Sequence, residues 1–163
     1  MNAPTAPAVA LWAGLFRVTE RVLDAVEADV KAAGFPPLLW YDALLELDRL
    51  GPKEGLRPFE LEERMLLPQY GLSRLIDRLE KAGHVERWRC AKDGRGYFVA
   101  ITGQGRELRR AMWPAYAAAI ERHIGSRLSP QEAHQLAALL QKLAPGKPSD
   151  GDCGGGCNAS PCG

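Results

Sequence analysis

The chain has 163 residues, 46% of them hydrophobic and 25% charged, with a formal net charge of +1. That balance suits one compact domain and excludes a chain disordered throughout. No apolar run reaches the ~20 residues needed to cross a bilayer, and the start, MNAPTAPAVALWAGLF, lacks the basic beginning of a secretory leader, so a cytoplasmic protein with no membrane partner is expected.

Residues 9–33 predict a long helix, because Trp12, Leu15, Phe16, Thr19, Val22, Leu23, Val26 and Val30 recur at three- and four-residue steps. Gly34 and Pro36-Pro37 end it. A second helix is expected from Leu38 to Leu50, and Gly51, Pro52 and Gly55 mark a loop. Pro58 suits the first turn of a short helix over 59–66. The next helix, Gln69 to Ala82, has one apolar stripe of Leu72, Leu75, Ile76 and Leu79, and Gly83 stops it. The period then changes to strands over 84–90 and 97–101, with Asp93-Gly94 as a hairpin turn between them. Thr102 can cap a helix running to Arg127, and Ser129 with Glu132 forms a capping box for a last helix.

The fold class this pattern predicts is mainly α with a small β-wing (α+β). It is a winged helix-turn-helix at about 38–101, with long helices at 9–33 and 103–144 for dimerisation. Together, 9–144 form a single domain, followed by a flexible Cys-rich tail over 145–163. Charge is distributed to match. Residues 1–63 carry 6 basic and 11 acidic side chains, 64–110 carry 11 and 5, and 111–163 carry 4 and 4. A basic middle inside an acidic remainder is the footprint of contact with a polyanion, although a solvated charged face gives the same count.

The helix over 69–82 offers Gln69, Tyr70, Ser73, Arg74 and Arg78 opposite its apolar stripe. Gln can bond bidentately to adenine and Arg to guanine in a major groove. The hairpin adds Arg87, Arg89, Lys92 and Arg95, and an Arg at a wing tip can enter a narrow minor groove, with Asp93 bracing Arg95. Either element alone also reads as an ordinary polar surface; their order in the chain makes double-stranded DNA the expected partner.

The stretch LPQYGLSRLIDRLEKAGHVERWRCAKDGRGYFVAITGQG resembles the core of the MarR family of bacterial transcription regulators, through SRLIDRLEKAGHVER, the wing turn DGR and VAITGQG. The resemblance implies a homodimer on a near-palindromic operator, with recognition contacts at Gln69, Tyr70, Ser73 and Arg74 and a wing pair at Asp93 and Arg95. Pro68-Gln69-Tyr70-Gly71 departs from the small hydroxyl run usual at the start of the recognition helix, so base preference does not transfer.

The tail places Cys153, Cys157 and Cys162 on a Gly-rich segment. Three thiolates suit a soft metal ion or metalloid such as Zn, Cd, Hg, Pb or As, acting as effector, with Cys90 or a histidine (His123, His134) as a further ligand. Thiol oxidation, a small aromatic ligand near Trp40 and Tyr41, and incidental thiols are the alternatives. A reading of another class is a winged-helix protein-interaction module with a metal-binding tail. No phosphate loop, HExxH or GxSxG is present, so no enzyme is expected.

Overall fold

The computed structural model describes residues 3–51, 54–67, 71–89 and 96–143. Helix α1 spans Ala6–Ala32. It begins earlier than the apolar period suggests because Thr5 caps it: its hydroxyl accepts from the Ala8 N–H at 3.4 Å, and Pro7 sits in the first turn. Helices α2 (Leu38–Asp48), α3 (Pro58–Arg64) and α4 (Leu72–Lys81) follow. Strands β1 (Val85–Trp88) and β2 (Phe98–Ile101) pair antiparallel, from Val85 opposite Ile101 to Trp88 opposite Phe98. Helix α5 covers Gly103–His123 and α6 covers Pro130–Leu143.

The helix predicted to reach Arg127 stops at His123, and Gly125–Arg127 forms a 3-10 turn. Gly costs a helix about 1 kcal/mol relative to Ala, which weakens the last turn there. The loop predicted around Gly55 also contributes to the sheet. Leu56 donates to the Val99 carbonyl at 3.0 Å and accepts from the Val99 N–H at 2.8 Å, a one-residue third strand. Gly55 is required beside it, because a Cβ would stand 2.9 Å from the Val99 carbonyl oxygen.

The described residues fall into two compact units that divide between Phe35 and Pro36 and again between Pro114 and Ala115. The unit beginning at Pro36 holds α2, α3, α4, the hairpin and the first half of α5. Its core joins Leu44 and Leu47 of α2, Leu61 of α3, Leu75, Ile76 and Leu79 of α4, and Val85, Val99 and Ile101 of the hairpin. Burial of each such side chain contributes about 1.5–3 kcal/mol. Asp48, at the end of α2, accepts from Arg106 Nε at 2.9 Å and Arg109 Nε at 2.7 Å, which ties α2 to the start of α5.

The other unit holds α1, the second half of α5 and α6. Asp29 of α1 accepts from Arg122 at 3.0 Å and stands 2.9 Å from His123 Nε2. The predicted capping box opens α6: Ser129 N–H donates to the Glu132 carboxylate at 2.8 Å, and Glu132 N–H to the Ser129 hydroxyl at 3.3 Å. No residue of α6 is buried, and Leu136, Leu139, Leu140 and Leu143 are all exposed. On α1, Trp12 (69% exposed) and Phe16 are likewise uncovered. Among the described residues, no helix is long and apolar enough to cross a membrane.

Candidate nucleic-acid interface

Helix α4 is amphipathic by sequence and by burial. Leu72, Leu75, Ile76 and Leu79 are buried, while Ser73, Arg74, Asp77, Arg78, Glu80 and Lys81 are exposed. It starts at Leu72 rather than Gln69. Gly71 before it adopts φ +93°, a left-handed conformation that side-chain-bearing residues resist, and its carbonyl accepts from the Arg74 and Leu75 N–H groups. Helical spacing puts Arg74, Arg78 and Lys81 on one stripe and Ser73, Asp77 and Glu80 on its neighbour.

The entry to α4 is anchored from α2. Asp42, buried at 6% exposed, accepts the Leu67 N–H at 2.7 Å. The expected sites did not include this carboxylate. Its only signal in the sequence is an acid set among the apolar residues of LLWYDALLEL.

The hairpin packs on the second stripe of α4. Arg87, on β1, donates to Asp77 Oδ1 and holds its Nε 3.4 Å from Glu80 Oε2. Its guanidinium lies over the Tyr97 ring, 4.9 Å from the centroid. Burial works against the Arg87 cation. The Asp77 hydrogen bond and the attraction of Tyr97, Glu80 and Asp77 nevertheless hold its pKa above the ordinary value. The sequence grouped Arg87 with the cations around the wing turn; its side chain reaches the acids of α4. On the other face, Trp88 stacks on Phe98 at 4.6 Å between centroids, and Arg57 covers Phe98 at 5.1 Å.

Of the residues expected to meet DNA, Ser73, Arg74 and Arg78 are exposed on α4, and Arg89 is exposed just past β1. Gln69, Tyr70, Lys92, Asp93 and Arg95 lie outside the described residues, as do Cys90, Cys153, Cys157 and Cys162. Among the described residues, no group of three or more His, Cys, Asp or Glu side chains is placed to hold a metal ion.

A short helix, a turn, a second helix with a polar outer face and an antiparallel hairpin, in this order, define a winged helix-turn-helix, a DNA-binding class. The family model of the MarR family matches residues 33–96. The HTH-type transcriptional regulator YkoM of Bacillus subtilis is 33% identical over 132 residues, spanning 78% of this chain and 82% of YkoM. Sco3205, a MarR family transcriptional regulator of Streptomyces coelicolor solved in complex with DNA, is 26% identical with a TM-score of 0.76, covering 92% of this chain and 93% of its own. AbsC, a MarR family regulator of the same organism, is also 26% identical, with a TM-score of 0.72 over 89% of this chain and 97% of its own. The chain belongs to the MarR family: it is a DNA-binding transcription regulator with a winged helix, not an enzyme.

Proposed function

We propose that the protein is a cytoplasmic, homodimeric repressor that sets α4 of each subunit into the major groove of a near-palindromic operator. The observation that carries this reading is the exposed stripe Arg74, Arg78 and Lys81, which no carboxylate among the described residues engages. Ser73 and Arg74, near the helix start, are the base-reading positions, preceded in the chain by Gln69 and Tyr70. Arg78 meets the groove further along α4. Arg89, Lys92 and Arg95, with Asp93, serve the wing. The DNA complex of Sco3205 supports this use of the fold. Dimerisation is supported by α6, an amphipathic helix whose four leucines find no cover, and by Trp12 and Phe16 of α1. Apolar surface of that kind marks an interface, and a symmetric pair is the common solution.

The test is selection of bound duplexes from a random pool, followed by footprinting. Two half-sites about one helical turn apart are expected, and Leu139→Asp with Leu143→Asp should give a monomer by sedimentation that loses the paired footprint. A single unpaired site, or a dimer that survives both substitutions, contradicts the reading. For the effector, the three tail thiols at Cys153, Cys157 and Cys162 support binding of a thiophilic metal or metalloid. Cd(II) or As(III) should then change operator affinity in the wild type but not in a triple Cys→Ser variant. A response to peroxide alone would assign the thiols to oxidation, and response to neither would leave the effector role to a small aromatic ligand.

A further inference from the structure

The second stripe of α4 poses an electrostatic problem for a helix that meets DNA. Asp77 and Glu80 lie beside the cationic stripe and would repel phosphates. Asp77 also stands at helical distances from two of the stripe's cations, three residues after Arg74 and four before Lys81. Such pairs form readily on an exposed helix, and each would turn a cation away from the groove. The structure shows a different pairing. Both carboxylates are engaged by Arg87 from the neighbouring strand, and Arg74, Arg78 and Lys81 are left without an acidic partner among the described residues.

We infer that Arg87 is a positioning residue for DNA binding: from β1 it masks Asp77 and Glu80, so that α4 presents an unopposed positive stripe. The side chain is suited to that task and poorly suited to direct contact. It shares the core-facing side of the hairpin with Val85, opposite Val99. Its side chain is only 26% exposed, and the Tyr97 ring covers its guanidinium. A planar guanidinium can serve two carboxylates at once, which an ammonium does less well. The same contact fixes the hairpin against α4, so wing and recognition helix approach the duplex as one body.

The inference rests on the reading that α4 meets DNA, and its test separates the two. Affinity for a duplex selected by the wild-type protein is measured by fluorescence anisotropy at constant salt. Arg87→Ala is expected to weaken binding at least tenfold. Asp77→Asn should restore at least fivefold more affinity in the Arg87→Ala background than it adds in the wild-type background, because only there is the carboxylate unmasked. Equal gains in both backgrounds would mean that Asp77 acts as a general charge, and masking would be overturned. No recovery would mean that Arg87 serves only to hold the wing, which also overturns it. Arg87→Gln keeps the stem over Tyr97 and carries the same comparison should Arg87→Ala fail to fold. Arg74→Ala is the control: a loss of affinity there together with additive effects at Asp77 and Arg87 rejects masking alone, whereas unchanged affinity rejects the α4 reading and masking with it.

Discussion

Replacing Asp42 by Ala removes a carboxylate that is 6% exposed and accepts the Leu67 N–H at 2.7 Å. Two effects oppose each other. The lost hydrogen bond to a charged acceptor is worth about 1.5–3 kcal/mol, and it leaves a part-buried backbone donor unpaired. Against this, the variant no longer has to bury a charge, which by itself is costly. The short, well-placed bond decides the sign, and a net loss of about 2 kcal/mol is expected. For a chain of this size each kcal/mol moves Tm by roughly 2–4 °C, so thermal unfolding followed by circular dichroism should show a fall of about 4–8 °C. Asp42→Asn keeps an acceptor oxygen and should lose about half as much. DNA affinity at a temperature where both proteins are folded should fall as well, because Leu67 leads into α4. A Tm equal to or above wild type for Asp42→Ala would show that desolvation of the carboxylate outweighs the bond, and would refute this account of the turn.

Gly105→Ala should destabilise the protein although Ala is the better helix former by about 1 kcal/mol. Its Cβ would stand 2.1 Å from the His84 carbonyl oxygen, and that backbone cannot give way cheaply; a Tm at or above wild type would contradict the packing described. The α6 capping box makes a prediction about pH. The backbone and side-chain hydrogen bonds from Ser129 lower the Glu132 pKa from its ordinary value of 4.5. A lowered folded-state value means that the stabilisation is present above the unfolded value and fades as pH falls through the folded one. Helicity should therefore decline more steeply on acidification below about pH 4.5 in wild type than in Glu132→Gln, and identical titrations would sink the idea.

The helices were legible because their apolar residues repeat at helical steps and their ends carry Gly34, Gly83 and the Ser129–Glu132 pair; the Thr5 cap, outside the apolar period, was missed. The hairpin was legible from the change of period after Gly83. Roles set by contacts between distant residues were not. Leu56 pairs with Val99, Asp42 with Leu67, and Asp48 with Arg106 and Arg109, and no local pattern announces a partner 25 or 58 residues away. Arg87 illustrates the limit most clearly. In the sequence it is one of four cations around a turn; its inward direction follows from strand parity and from the two acids on the facing helix.

The central claim is that the exposed cations of α4 meet the DNA backbone and bases. The slope of log K against log salt measures that contact directly, since each neutralised phosphate contributes about −0.9. Wild-type protein should bind a selected duplex with a steep negative slope. Arg78→Ala should flatten it by about one unit, and Arg74→Ala should weaken binding and relax discrimination at one base position. Slopes and affinities identical to wild type in both variants would contradict the account.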